Sequence, residues 1–445
     1  MTLATPHRIL ILGGGAREHA MAWRLAGEPG VERVIVAPGN AGMAEAPTDG
    51  LDLVPGLDPA DVGAVVHLAH ELQPDLVVSG PEAPLVAGVA DALRAAGFHA
   101  LGPGAAGARL EASKAATRAV ANTAGVPMAA GAVFEAVGPA LDFAAGLDWQ
   151  VVVKADGLAA GKGVTVCDDE ATVAAALREA LEEGRFGAAG SRVVVEERLF
   201  GPEASVMALC DETAVLALPA ARDHKRLGDG DDGPNTGGMG AYSPVPDLDE
   251  GAVERTLETI HAPVLAELAR RGIPFRGVLY AGLMLTAGGP RLLEFNVRLG
   301  DPEAQAVLPR LAVPLAPLLA AAAEGRLATV AARSGLAPRA VLPVAPEACV
   351  AVVLAAAGYP ERPRRGDVIT GLADARGAGG LVFTAGVERA ADGLQTAGGR
   401  VLTVVGRGPD LAAAADAAYV AAGHLTFAGA HLRRDVGRVA AVVGR

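Results

Sequence analysis

Lysine usage is the first chemical signal in the sequence. Of 38 basic residues only four are lysines, at 114, 154, 162 and 225, and the other 34 are arginines. A compact ammonium suits point contact with phosphate and a planar guanidinium suits bidentate pairing, so in a chain that otherwise uses Arg each Lys is a candidate for phosphate work. A GC-rich coding bias explains the Arg excess equally well, but all four lysines lie in or beside unusual loops. Lys154 closes the apolar run QVVVKA, and Lys162 lies in GLAAGKGV at 157–164. That loop fails as a Walker A motif, because three residues rather than four separate Gly157 from Gly161 and Gly163 stands where Ser or Thr would hold magnesium. Its glycines still permit close approach of backbone to a polyphosphate, with Lys154 and Lys162 to neutralise the charge.

A second group sits in LEFNVRLGDPE. On a strand, Glu294 and Asn296 share one face and Phe295 takes the other, and Arg298 continues the polar face. A carboxylate and an amide oxygen are hard ligands suited to Mg²⁺ on nucleotide phosphates, although a solvated edge strand would show the same alternation. RDHKR gathers Arg222, His224, Lys225 and Arg226 at the start of a long Gly/Asp-rich stretch, 222–244, expected to be flexible and able to wrap a charged substrate. His224 alone reads as a loop hydrogen-bonder more readily than as a proton shuttle. GGGAREH has the strand-turn-helix context of a dinucleotide loop, but Glu18 replaces the third glycine and no acid ends the second strand, which favours a small phosphate over NAD. His67, His70 and Glu71 match no zinc spacing and read as a solvated face.

These residues need elements to hold them. RILIL, RVIVA and DLVVSG alternate with helical stretches, as in a parallel α/β unit whose loops PGNAG (38–42) and GPEAPLVAG (80–88) follow strands where open sheets place ligands. ARLEASKAATRAVANTAG reads as one helix carrying Lys114. AGAVF, QVVVKA and VTVCD read as strands, and 191–210 as two antiparallel strands joined by a turn. GVLYAGLMLT and RLLEFN form a hairpin. An Arg- and Pro-bearing linker near 330–343 leads to a last set of short strands and an Ala-rich helix.

With 445 residues the chain is long enough for two to four domains, and a formal charge of −13 argues against a nucleic-acid partner held by a broad basic surface. Three scattered cysteines offer no zinc, iron-sulfur or disulfide framework and fit a cytoplasmic location; no signal or membrane-spanning pattern is evident. No obligatory protein partner is expected.

The order GGGAREHA, PGNAG, GPEAPLVAG, KADGLAAGKGV, EERLFGPEAS, DHKRLGDGDDGPNTGGMGAYSP, LEFNVRLGDPE resembles the phosphoribosylamine-glycine ligase (glycinamide ribonucleotide synthetase) family of the ATP-grasp superfamily, over essentially the whole chain. The resemblance implies an α/β multidomain protein: an ATP-grasp fold with an N-terminal Rossmann-like pre-ATP-grasp domain and a C-terminal α/β domain. The expected divisions are 1–105 for the N-terminal domain, 106–125 for a connecting helix, 126–192 for the lid, 193–328 for the central domain and 329–445 for the C-terminal domain. It implies joining of glycine to 5-phosphoribosylamine, with ATP as cosubstrate and Mg²⁺ or Mn²⁺. By position, Lys114, Lys154 and Lys162 would meet phosphates; Glu196, Glu197 and Leu199 would line the adenine hinge, with Glu203 on the ribose. Glu294 and Asn296 would hold the metal, and Arg298, Lys225 and Lys154 would be catalytic. The stretch YAGLM lacks the acid that many ATP-grasp enzymes place before EFN, so the metal would lean on phosphate oxygens and water. Another ATP-grasp carboxylate-amine ligase, an NAD-linked oxidoreductase and a nonenzymatic nucleotide sensor are the rival readings.

Overall fold

A computed structural model describes residues 5–45, 48–157 and 163–438. The N-terminal sheet is parallel, in the order Leu51–Leu53, Arg33–Pro38, Arg8–Gly13, Leu76–Ser79, Ala100–Leu101. Its strands are continuous apolar runs because helices cover both faces. The order reverses between Arg8–Gly13 and Leu76–Ser79, and at that switch point the chain turns through Gly13 and Gly80. The stretch after Ser79 is a short helix, Glu82–Val86, rather than an open loop.

A four-stranded antiparallel lid follows, in the order Gly131–Phe134, Val193–Glu197, Val151–Ala155, Val164–Cys167. Helices Val137–Ala145 and Glu170–Leu181 cover one face and enclose a core of its own around Val153, Leu177 and Val195. The central sheet runs Gly289–Asn296, Gly277–Thr286, Glu203–Cys210, Val215–Ala217, Arg339–Val341. Residues 191–210 therefore form no hairpin: Val193–Glu197 pairs in the lid and Glu203–Cys210 in the central sheet. Residues 198–202 are the hinge between two cores, a long-range choice that local pattern does not carry. The N-terminal and central sheets instead share one apolar core, from Ile9 and Val34 through Met207 and Leu216 to Leu319.

The last sheet has the order Arg222–Asp223, Gly240–Ser243, Ala348–Ala355, Arg400–Gly408, Leu381–Thr384. Its first two strands come from the 222–244 stretch, and Arg339–Val341 of the expected linker belongs to the central sheet. The helix Leu411–Ala422 lies on this sheet at very short range: a Cβ on Gly406 would fall 2.2 Å from Ala414 O. Glycine facing alanine is how an aromatic-poor chain still packs to contact density here.

Candidate functional site

The lid sheet shows two faces. Val151, Val153, Val193 and Val195 enter the lid core, so strict alternation turns Lys154, Glu196, Val133, Val152, Val164 and Val166 the other way. Val133 and Val166 stay 40% and 39% exposed, leaving an apolar wall beside two charged groups. Lys154 Nζ lies 2.6 Å from Glu196 Oε2 and donates to Leu293 O at 3.0 Å, while Arg118 donates to Glu196 Oε1 at 2.8 Å. Burial pushes the Glu196 carboxyl up, but Lys154 and Arg118 more than offset it, and the group is held below the usual range. Glu197 faces the opposite side, where its carboxylate accepts from Ala130 N at 3.2 Å. Its side chain is thus turned away from Lys154, a consequence of period two that makes neighbouring glutamates inequivalent.

The helix expected through Lys114 breaks at Ser113 (φ −141°, ψ 117°), whose hydroxyl accepts from Ala116 N at 3.0 Å. Lys114 becomes the first residue of the helix Lys114–Thr123, and its ammonium reaches Gly157 O at 3.4 Å. Asp156 accepts from Ser113 Oγ at 2.8 Å, Ala115 N at 3.1 Å and Arg192 Nη2 at 2.6 Å. The strand end that leads to the glycine loop is thereby bolted to the helix carrying Lys114. Lys162 lies outside the described residues.

In the central sheet Glu294 pairs opposite Gly282 and Asn296 opposite Tyr280. Lys225 Nζ is 2.6 Å from Glu203 Oε2 and 3.9 Å from Glu294 Oε1. Burial raises Glu294, yet Lys225, Lys114, Lys154 and Arg298 outweigh it and keep the carboxyl below its ordinary range. The field of four cations from four chain segments thus favours the charged form of this carboxylate, with Lys225 at 3.9 Å. Burial pulls Lys225 down, but Glu203, Asp223 and Glu294 raise it well above its usual value. Burial, opposed by Lys225 and reinforced by Glu303, Glu203 and Glu294, lifts Asp223 to about 8. Arg298 pairs with Glu111 Oε1 at 2.7 Å and lies 3.6 Å from Glu82 Oε2, while Val297 N donates to Glu111 Oε2 at 2.8 Å. Among the described residues, Asn296 Oδ1 receives only a long bond from Arg298, 3.4 Å. One carboxylate and one weakly engaged amide oxygen on a shared face fit a divalent hard cation whose other ligands come from phosphate and water.

At the opposite end the Gly13–Gly15 turn spends an amide on its own chain: Gly15 N donates to Glu18 Oε2 at 2.6 Å, and Arg17 holds Glu18 Oε1 at 2.7 Å. The Gly15 amide is therefore already engaged by Glu18, whose charge Arg17 offsets. Asn40 of PGNAG donates to Gly14 O at 2.8 Å and Thr384 O at 2.9 Å, and Thr384 N donates to His19 Nδ1 at 2.9 Å. The 222–244 stretch is docked rather than loose. It contains a hairpin, Arg226–Gly228 with Asp232–Asn235, and Asp231 meets Arg433 Nη1 at 2.6 Å. His431 Nε2 lies 2.9 Å from Leu227 O, and Gly230 N donates to Asp435 at 2.9 Å. His224 Nδ1 lies 3.7 Å from Asp231, a member of that strap. His67 pairs with Glu71 on an exposed helix face, and among the described residues no group of three His, Cys, Asp or Glu side chains could hold a metal.

Arg118, Glu111, Asp223, Asp301, Glu303, Thr384 and Arg400 were not legible as site residues. Asp301 and Glu303 stand inside the GDPE turn, a signal within reach. Arg118 and Arg400 are two among 34 arginines and carry none.

A lid with an exposed apolar wall and a lysine, hinged over a sheet that carries a carboxylate–amide pair, defines an ATP-grasp protein. The chain belongs to the phosphoribosylglycinamide synthetase family, whose N domain matches residues 7–111, ATP-grasp (A) domain 112–304 and C domain 349–439. It is 48% identical over 430 residues to a phosphoribosylamine-glycine ligase of Phenylobacterium zucineum, covering 96% of this chain and 98% of that protein. A Streptomyces coelicolor protein of the same name is 48% identical over 440 residues, covering 98% and 99%. The crystal structure of the Thermotoga maritima phosphoribosylamine-glycine ligase superposes with a TM-score of 0.79 at 32% identity, over 96% and 99% of the two chains. The biotin carboxylase domain of Hydrogenobacter thermophilus 2-oxoglutarate carboxylase, at 16% identity and TM-score 0.70 over 96% and 92%, shares the fold.

Proposed function

We propose that this chain ligates glycine to 5-phosphoribosylamine, giving glycinamide ribonucleotide, ADP and phosphate. The gathering of Lys225 and Lys154 about the strand of Glu294 carries the reading: Lys225 Nζ lies 3.9 Å from Glu294 Oε1 and Lys154 donates to the neighbouring Leu293 O at 3.0 Å, a cluster that suits a polyphosphate bridged to a carboxylate by a metal. The base of ATP would lie on the valine wall of the lid, near Glu196, Glu197 and Leu199, with the ribose toward Glu203. Lys114 and Lys154 would meet phosphates, and Lys162 is assigned with them by sequence. Glu294 and Asn296 would hold Mg²⁺ or Mn²⁺, which supplies charge neutralisation on the phosphate oxygens.

Glycine's carboxylate is a poor acylating agent because hydroxide leaves badly. Its oxygen would attack the γ-phosphorus, expelling ADP and leaving glycyl phosphate, while Lys154, Lys225 and Arg298 offset charge on the transferring oxygens. The amine of phosphoribosylamine then attacks glycyl phosphate and expels phosphate, so no protein nucleophile is needed. All three cysteines are free and buried, consistent with that chemistry and with the cytoplasm as its place. Among the described residues no helix is long and apolar enough to cross a membrane. Phosphate release that requires both glycine and phosphoribosylamine is the expected result. ADP formation with another carboxylate and indifference to glycine would overturn the reading in favour of a different ATP-grasp ligase.

A further inference from the structure

We infer that Arg400, from the C-terminal domain, is a positioning residue for the end of the cleft that takes the amine and amino-acid substrates. The inference rests on the ligase reading for what binds there, and on geometry for what Arg400 does. Arg400 Nη1 donates to Gly237 O at 2.5 Å and to Asp301 O at 2.6 Å, and Nη2 lies 3.3 Å from Asp301 Oδ2. One planar guanidinium thus joins the TGG turn of the docked 222–244 stretch to the GDPE turn that follows Arg298. The two turns touch: a Cβ on Gly238 (φ +110°) would fall 2.5 Å from Pro302 Cδ. Tyr359 from the same domain secures the junction by accepting from Gly237 N at 2.9 Å.

Asp301 is the group so placed. Gln305 donates to Oδ1 at 2.8 Å, and a Cβ on Gly15 of the first glycine turn would lie 3.7 Å from Oδ2. Three domains thus meet around one carboxylate that the nucleotide does not need, since Lys154, Glu196 and Glu294 lie on other elements. A carboxylate at this junction, kept in place by cations, suits an ammonium or amine group. Arg400 acts through it and through the turn, and removing the guanidinium releases both together.

The test compares Arg400→Lys, Arg400→Met and Arg400→Ala with the wild type in the full chain. KM for glycine or phosphoribosylamine should rise at least about tenfold, with affinity for a nonhydrolysable ATP analogue changed less than about twofold. Arg400→Lys keeps one charge but loses the fork, so it should recover only part of the loss. Guanidinium ion added to Arg400→Ala should restore activity that it does not add to Arg400→Met, where the side chain fills the space. Hydrogen exchange should quicken in 236–240 and 299–304 and stay unchanged in the lid. Unchanged KM values with unchanged exchange would overturn the inference, as would equal losses for ATP and glycine. A wild type that uses ATP without glycine would sink the ligase reading alone, because the exchange measurement tests Arg400 independently of substrate identity.

Discussion

At the proposed nucleotide end, Lys154 and Glu196 stand on neighbouring strands of one sheet and Glu294 on the strand whose Leu293 carbonyl Lys154 also holds. At the proposed acceptor end, Gly15, Gly238, Asp301 and Arg400 come from stretches up to 385 residues apart and meet where three domains touch. The first region is stiffened by charges buried within it, the second by long side chains reaching in from outside. Damage to the buried Lys154–Glu196–Arg118 set of the first should cost folding and nucleotide binding together, and damage at the second should cost the acceptor substrates while the lid is spared.

The largest effect is expected from Glu196→Ala. It strands Lys154 and Arg118 as buried, unpaired cations, which costs about 3–5 kcal/mol in denaturant unfolding and weakens ATP binding. Retention of wild-type stability would show that the lid ion set is not buried in solution. Glu294→Gln removes the charge proposed to meet the metal, yet strands no cation, because Lys225 lies 3.9 Å from Glu294 and keeps Glu203 at 2.6 Å. Turnover at limiting metal should fall by about 10²-fold or more, with the unfolding midpoint nearly unchanged. Loss of stability without loss of rate would reverse the contrast between these two glutamates.

Lys154→Arg follows, with turnover lower by about tenfold, since a larger planar group cannot keep both the Glu196 pair and the Leu293 carbonyl bond. Lys162→Arg should be milder, and steady-state rates for the two variants rank them directly. The smallest effect concerns His19, which links the N-terminal helix to Thr384. Burial, with the Arg376 charge adding, lowers it from 6.5 to about 3. A depressed folded value means that stability is full above 6.5 and is lost progressively as pH falls toward 3, because the unfolded chain binds the proton first. His261, lowered to about 4 by burial, contributes with the same sign. Denaturant midpoints at pH 7.5 and pH 5 should therefore differ less in His19→Asn than in the wild type; equal slopes would place His19 in solvent.

Alternation along 289–296 was enough to put Glu294 and Asn296 on one face, because period two is a local property of extended chain, and the scarcity of lysine beside a glycine loop singled out Lys154. The N-terminal parallel sheet was legible from its continuous apolar runs, which alternate with helical stretches. The pattern also contained the inequality of Glu196 and Glu197, since each neighbour on a strand takes the other face. Other features had no local trace. The break at Ser113 depends on Asp156, 43 residues on, which accepts both its hydroxyl and the Ala115 amide. The hinge at 198–202 exists because two strands that look like a hairpin find better partners in different sheets. The 222–244 stretch has the composition of a loose loop, yet Arg433, His431 and Asp435 hold it in place. Residue type and spacing specify which face a side chain takes and what chemistry it offers. Which distant backbone carbonyl or carboxylate it meets follows from how the separate cores pack, and a single guanidinium such as Arg400 acquires its task only there.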